Sequence, residues 1–282
     1  MPPHLDPVVI REAAVRALGE DRGPADITTF ACIPPEARAS ARIFAKEPCV
    51  LAGLLVAEQV FREQDAFLVL TPRARDGDSL ESGATVLELH GSAASILTGE
   101  RSALNFLQQL SGVATETRRY VEAVAGTRAQ ILDTRKTAPG LRALQKYAVV
   151  CGGGSNHRFG LYDRFLIKDN HLALMNRGCS LVDAVKKARA LDPQILLEIE
   201  VSRPGQIPEM IALGADIILL DNMTAGEIRA CVDLIAGRAK TEASGNMSLS
   251  RVAEVAATGV DYISVGALTH SVRAIDFSLD II

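Results

Sequence analysis

The chain has 282 residues, 48% of them apolar, with 30 Lys and Arg against 34 Asp and Glu and a formal net charge of −4. That composition supports a sizeable core and excludes a disordered chain. A mildly acidic molecule with no Trp and 4% aromatic residues also lacks the basic face and the stacking platforms of a nucleic-acid binder.

In chain order, residues 1–112 read as a mixed α and β domain. Val8–Leu18 has helical spacing, Ser40–Lys46 alternates as a half-buried strand, and Leu54–Arg62 is a second amphipathic helix. Asp76-Gly77 and Ser82-Gly83 mark turns, Thr85–Leu89 alternates again, and Ile96–Ala125 returns to a helical pattern. Ser111-Gly112 interrupts that last pattern, and the domain boundary is placed there. Residues 113–271 change texture. Apolar, β-branched runs at Ala129–Asp133, Phe165–Lys168, Ile195–Glu200, Asp216–Asp221, Lys240–Ala243 and Asp261–Val265 alternate with helical segments at Leu141–Val150, Leu181–Leu191, Ile207–Leu213, Ala225–Ile235 and Arg251–Ala257. That alternation predicts a parallel sheet with right-handed crossovers, an α/β barrel left open and incomplete for want of length. Residues 272–282 form a tail expected to return to the first domain.

Five scattered cysteines, Cys32, Cys49, Cys151, Cys179 and Cys231, contain no C-x-x-C pair and read as reduced thiols of a cytoplasmic protein. The opening Met-Pro-Pro-His-Leu-Asp-Pro has no signal-peptide character. No apolar run approaches the roughly 18 residues that a membrane span needs.

Each strand of the second domain ends on polar residues or glycine: Arg135 and Lys136, Lys168, Glu198 and Glu200, Asp221, Glu242 with Ser244, and Ser264 with Gly266. In a parallel barrel those ends share one mouth, where chemistry sits. Between Asp133 and His171 lie seven Lys or Arg, two His and three Asp, a cationic knot suited to a small polyanion. Glu198 and Asp221 end successive strands, placed to hold Mg²⁺ or ribose hydroxyls or to neutralise the neighbouring cations; Glu200 lies in phase with Glu198. Gly245 and Gly266 follow the last two strands and offer backbone N–H groups to a phosphate. His157 and His171 sit among cations and read as neutral hydrogen-bonding groups. His4 and His90 read as surface residues, His270 as rim or core, and no histidine cluster has metal-ligand spacing.

The motifs Asp-Thr-Arg-Lys-Thr-Ala-Pro-Gly-Leu-Arg (133–142), Lys-Tyr-Ala-Val (146–149), Gly-Gly-Gly-Ser-Asn-His-Arg (152–158), Leu-Ile-Lys-Asp-Asn-His (166–171), Glu-Ala-Ser-Gly-Asn (242–246) and Ser-Val-Gly-Ala-Leu-Thr (264–269) closely resemble the quinolinate phosphoribosyltransferase family. So do Ala-Asp-Ile-Thr-Thr (25–29) and Glu-Arg-Ser-Ala-Leu-Asn-Phe-Leu-Gln (100–108), and the resemblance spans nearly the whole chain. It implies an N-terminal α/β sandwich, an open barrel, and a homodimer with shared active sites that is open to further assembly. The implied reaction joins quinolinate and phosphoribosyl pyrophosphate, with Mg²⁺, to give nicotinate mononucleotide, pyrophosphate and CO₂.

Carried over by motif, Arg101 would reach the partner's site and hold a quinolinate carboxylate, Arg135, His157 and Arg158 would complete the dicarboxylate pocket, and Thr134 would also bind substrate. Lys136 and Lys168 would face pyrophosphate and ribose, with Glu198 and Asp221 at the ribose hydroxyls or Mg²⁺. Ser244, Gly245, Asn246 and Gly266 would bind the 5′-phosphate, with Val265 and Ala267 also binding substrate. Ala25 and Gln145 depart from the commoner glycine and glutamate. Three rival readings remain: a related phosphoribosyltransferase with another acceptor such as nicotinate, a Schiff-base aldolase using Lys168, and a non-catalytic metabolite sensor.

Overall fold

The computed structural model describes residues 5–175, 178 and 180–282; the expectations for His4 and Cys179 fall outside them. Among the described residues twelve strands are defined: β1 (Arg38–Ala45), β2 (Cys49–Val50), β3 (Val69–Pro72), β4 (Ser79–Leu80), β5 (Thr85–Ser92), β6 (Gln130–Leu132), β7 (Phe165–Ile167), β8 (Leu197–Val201), β9 (Ile217–Asp221), β10 (Lys240–Ser244), β11 (Tyr262–Ser264) and β12 (Phe277–Ile281). The chain packs as two compact units. One holds the residues through Arg118 with Thr137–Gly153 and Leu268–Ile282; the other holds Arg119–Lys136 with Gly154–Ala267.

The first unit is built on an antiparallel sheet of order β12-β1-β5-β3. Along β1 burial alternates, with Ala41, Ile43 and Ala45 at 0% exposure, as a strand with one covered face requires. The cover comes from helices Pro7–Arg22 (Ala14, Leu18), Leu54–Gln64 (Val60, Phe61) and Ala93–Ala123 (Leu104, Leu107), which share one core with Ile43, Leu87 and Phe277. Helix Pro7–Arg22 starts where Asp6 accepts the Val8 N–H and Pro7 presets the first turn. This is a two-layer α/β sandwich.

Ala93–Ala123 is one helix, so the expected interruption at Ser111-Gly112 is corrected. Those residues serve packing. Ser111 Oγ accepts the Ala52 N–H at 3.0 Å and donates to the Ala52 carbonyl at 3.2 Å. A Cβ on Gly112 would lie 2.4 Å from the Arg273 carbonyl oxygen, so the glycine admits a neighbouring chain segment against the helix. Gly152, first of the glycine triplet, does the same, its position for a Cβ falling 2.4 Å from the Ala114 carbonyl oxygen.

The second unit carries six parallel strands in the order β6-β11-β10-β9-β8-β7. All six expected strands are present, and β6 and β7 are the two edges of an open, incomplete barrel. Helices Leu181–Leu191 and Ala225–Ile235 match expectation; Asp169–Met175 and Ala267–His270 are additional. Side chains alternate along each strand and in-register neighbours share a face. Pairing of Glu198 with Ile217, Glu200 with Leu219, Glu242 with Leu219 and Ser244 with Asp221 therefore puts Glu198, Glu200, Asp221, Glu242 and Ser244 on one face. Leu197, Ile199, Val201, Ile218 and Leu220 fill the other and are buried. Among the described residues no helix is long and apolar enough to cross a membrane.

Gly112→Ala separates the two readings of that glycine. Helix propensity alone predicts a gain of about 1 kcal/mol. The contact with the Arg273 carbonyl predicts a loss of about 1–3 kcal/mol from overpacking, measured by denaturant unfolding; a stabilised variant would contradict the packing account.

Candidate active site

Glu198 of β8 and Glu242 of β10 are both 0% exposed, and a carboxylate buried this way requires compensation. Glu198 accepts Arg164 Nη1 at 2.9 Å, and His157 Nε2 lies 3.4 Å from its other oxygen. Glu242 Oε1 stands 3.4 Å from the same Nε2, and no well-formed hydrogen bond reaches either Glu242 oxygen among the described residues. The loop that delivers His157 hangs from Asp133, at 0% exposure just past β6, which accepts the His157 N–H at 2.9 Å and Asn156 Nδ2 at 2.7 Å.

These contacts set the charges. Burial raises the Glu242 pKa and the charge of Glu198 raises it further. Burial works against Glu198 as well, yet His157 and Arg164 outweigh it and hold that carboxyl below the ordinary range. For His157 burial opposes the charge, and the close carboxylates of Glu198 and Glu242 overcome it, carrying the pKa up to about 9. The expected neutral ring among cations is thereby corrected: the ring faces two carboxylates. The Arg158 N–H donates to Nδ1 at 2.7 Å, so the neutral ring carries its proton on Nε2.

Toward the strand ends the character turns cationic. Arg135 is half-buried and Lys136 exposed beyond β6, with the Lys136 N–H donating to Thr134 Oγ1 at 3.1 Å. Arg158 is 9% exposed; burial lowers its pKa first, and the like charge of Arg135 lowers it further. Two guanidinium groups held close in a sheltered place are relieved by an anion. Lys168, at the end of β7, reaches Glu200 Oε2 at 2.9 Å, and its N–H donates to His171 Nδ1 at 2.9 Å. Asp221 ends β9 beside Ser244. Beyond β10, Gly245 and Asn246 turn with φ of 93° and 49°, and beyond β11 the Val265 N–H donates to the Leu132 carbonyl at 2.9 Å. Val265 is fully buried, while Gly266 and Ala267 are half-exposed.

Of the residues singled out in the sequence, the second unit holds Thr134, Arg135, Lys136, His157, Arg158, Lys168, Glu198, Asp221, Ser244–Asn246 and Val265–Ala267. Arg101 belongs to the first unit, exposed on helix Ala93–Ala123. Glu198, expected at ribose or Mg²⁺, lies in the interior with Arg164 and His157; Glu200, in phase with it, is the carboxylate that meets a lysine. His90 and His270 are exposed.

His157, Glu198 and Glu242 bring ligand atoms within 4.8 Å of one another, a set that sequence spacing concealed and that excludes Asp221. Arg164 Nη1 already occupies the cation's place there, 2.9 Å from Glu198 and 3.3 Å from His157 Nε2. Arg164, Asp133 and the buried role of Glu242 were not foreseen. The available signal was a glutamate inside the apolar strand Leu-Glu-Ile-Glu-Val, which calls for a cation from elsewhere. A cavity lined by Arg128, Asp216, Lys240 and Asp261 lies at the opposite strand ends, where Lys240 and Arg128 already pair with Asp261.

The family models described as quinolinate phosphoribosyl transferase, C-terminal and N-terminal domains, match residues 113–280 and 26–111. The chain is 46% identical over 279 residues to a nicotinate-nucleotide pyrophosphorylase [carboxylating] of Mycobacterium leprae, covering 96% of each chain. It is 44% identical over 263 residues to a probable enzyme of the same name from Bacillus subtilis, covering 93% of this chain and 90% of that one. Among solved structures, NadC from Streptococcus pyogenes superposes with a TM-score of 0.93 at 43% identity over 99% of both chains. The nicotinate-nucleotide pyrophosphorylase of Francisella tularensis superposes equally well, with a TM-score of 0.93 at 37% identity, over 100% of this chain and 99% of that one.

Glu242→Gln removes one of the two carboxylates that raise His157. A group with a raised folded pKa adds stability that is complete below its unfolded value of about 6.5 and is lost as pH climbs through about 9. The variant should show a lower His157 pKa by NMR titration and less loss of stability across that window. An unchanged His157 titration would show that Glu242 does not raise its pKa.

Proposed function

Because the chain belongs to the quinolinate phosphoribosyl transferase family, we propose that it transfers the phosphoribosyl group of phosphoribosyl pyrophosphate to quinolinate with loss of CO₂. The products are nicotinate mononucleotide and pyrophosphate, on the route to NAD. The supporting observation is the set on the C-terminal ends of one open parallel sheet: Arg135, Lys136, Arg158 and Lys168 beside Glu200 and Asp221, with glycine turns after β10 and β11.

In this reading Arg135 and Arg158 take the two carboxylates of quinolinate, since planar guanidinium groups match carboxylates in two-point contacts. His157 acts from beneath, its ring holding the Arg158 backbone. Lys136 and Lys168 stabilise the charge that grows on pyrophosphate as its bond to C1′ breaks. Asp221 and Glu200 accept ribose hydroxyls and face the oxocarbenium-like charge at C1′, as carboxylates do in glycoside cleavage. The backbone around Gly245 and Gly266 holds the 5′-phosphate. The electron pair of the C1′–O bond leaves with pyrophosphate, and the ring nitrogen of quinolinate forms the new bond to C1′. The resulting pyridinium draws in the electron pair of the C2–carboxylate bond, CO₂ departs, and a proton takes its place at C2.

Mg²⁺ fits the oxygen donor Asp221, because that ion commonly takes one or two carboxylates plus substrate phosphates, whereas Glu200 already meets Lys168; it would neutralise pyrophosphate. The buried His157, Glu198 and Glu242 set is a poorer seat, being filled by Arg164. The proposal extends to a cytoplasmic homodimer in which Arg101 serves the partner's site. A Schiff-base role for Lys168 needs a desolvated amine, whereas its side chain is 46% exposed beside Glu200.

Incubation with phosphoribosyl pyrophosphate, quinolinate and Mg²⁺ should release pyrophosphate and CO₂ in equal amounts, and nicotinate should not replace quinolinate. Turnover with nicotinate, or neither product, would overturn the reading. Lys136→Ala should lower kcat by roughly 10²–10³, the usual cost of losing one preorganised transition-state donor; unchanged kcat/KM would remove Lys136 from that role.

A further inference from the structure

Asn222, to which the reaction assigns nothing, stands between two of the groups that the reaction does use. It follows Asp221 at the end of β9 in a left-handed conformation, φ 54°. Its Nδ2 donates to Asp221 Oδ2 at 2.6 Å, its Oδ1 accepts from Asn246 Nδ2 at 3.3 Å, and its backbone N–H donates to the Ser244 carbonyl at 3.0 Å. The amide orientation follows from chemistry: an ionised carboxylate only accepts, so the nitrogen faces Asp221 and the oxygen faces the turn. That turn is shaped around the side chain. A Cβ on Gly245 would lie 2.2 Å from Asn222 Oδ1 and 2.9 Å from its backbone nitrogen, so glycine is needed there for Asn222 as well as for its own φ of 93°. Arg251 ties the same two turns, donating from Nη1 to the Gly245 carbonyl at 3.0 Å and from Nη2 to the Met223 carbonyl.

We propose that Asn222 is a positioning residue that fixes the spacing and orientation of the Asp221 carboxylate relative to the turn Ser244-Gly245-Asn246, so that a ribose and its 5′-phosphate are recognised as one rigid unit. This rests on the phosphoribosyl reading given above. With Oδ2 held by the Asn222 amide, Oδ1 is the acceptor presented to a ribose hydroxyl, and the turn that receives the phosphate is braced by the other end of the same amide. The side chain acts only when one ligand spans both places. Inorganic phosphate uses the turn alone, whereas ribose 5-phosphate uses the turn and the carboxylate together.

The test compares wild type, Asn222→Gly and Asn222→Asp by calorimetric titration with ribose 5-phosphate and, separately, with inorganic phosphate. Glycine keeps the left-handed backbone and removes the brace. Aspartate keeps the shape and sets a second carboxylate against Asp221. For Asn222→Gly the affinity for ribose 5-phosphate should fall about 10-fold, the order expected for one lost hydrogen bond to a charged group, with phosphate affinity nearly unchanged. Asn222→Asp should lose more. KM for phosphoribosyl pyrophosphate should rise in step while KM for quinolinate holds. Equal losses for both ligands would mean a merely structural turn and overturn the proposal, as would an unchanged affinity for ribose 5-phosphate. A wild-type protein that ignores ribose 5-phosphate altogether would instead sink the phosphoribosyl reading on which the proposal stands.

Discussion

Charge compensation inside the parallel sheet is the constraint on which the site depends. Glu198 and Glu242 project from β8 and β10 into a place closed to solvent, and removing the partner of such a buried charge typically costs about 3–5 kcal/mol. Arg164 and His157 are drawn in to meet them. Because both cations belong to one irregular stretch leading into β7, their capture fixes that stretch. Asp163 tightens it by accepting the Phe159 and Gly160 N–H groups, and Asp133 anchors its start. Arg158, next to His157, is thereby held at the mouth.

Above the acidic interior the order of charge reverses. Arg135, Lys136, Arg158 and Lys168 lie at the strand ends, with Glu200 and Asp221 among them. Such layering does two jobs. Buried negative charge steadies a cluster of cations that would otherwise repel one another, as Arg135 and Arg158 do. Cations at the strand ends then face anionic ligands, where a fixed array of donors is worth more than mobile water. Carboxylates at the mouth serve the opposite need, a positive charge developing at a sugar carbon.

The architecture was readable because strand ends in a parallel sheet face one way, so Arg135, Lys168, Asp221 and Gly266 could be gathered from sequence without knowing any contact. The alternation in Leu-Glu-Ile-Glu-Val gave the shared face of Glu198 and Glu200. It did not give their different depths. Those depend on Arg164, which lies in a loop without periodicity and whose arrival beside Glu198 leaves no local trace in the sequence. The charge of His157 was misread for the same reason: its sequence neighbours are cations, while its spatial neighbours are glutamates from two other strands. Ser111-Gly112 misled in another way, since a small-residue pair reads as a helix break yet here admits Ala52 and Arg273 to close contact. Short strands such as β2 and β4, two residues each, carry too little pattern to be seen.

A crystal structure of the protein soaked with quinolinate tests the central claim most directly. The account predicts the pyridine dicarboxylate at the C-terminal ends of β6 to β11, with Arg135 and Arg158 each within hydrogen-bonding distance of a carboxylate and the Glu198, His157 and Arg164 contacts intact beneath it. Density for the ligand elsewhere, or bound at the mouth without either arginine, would contradict it.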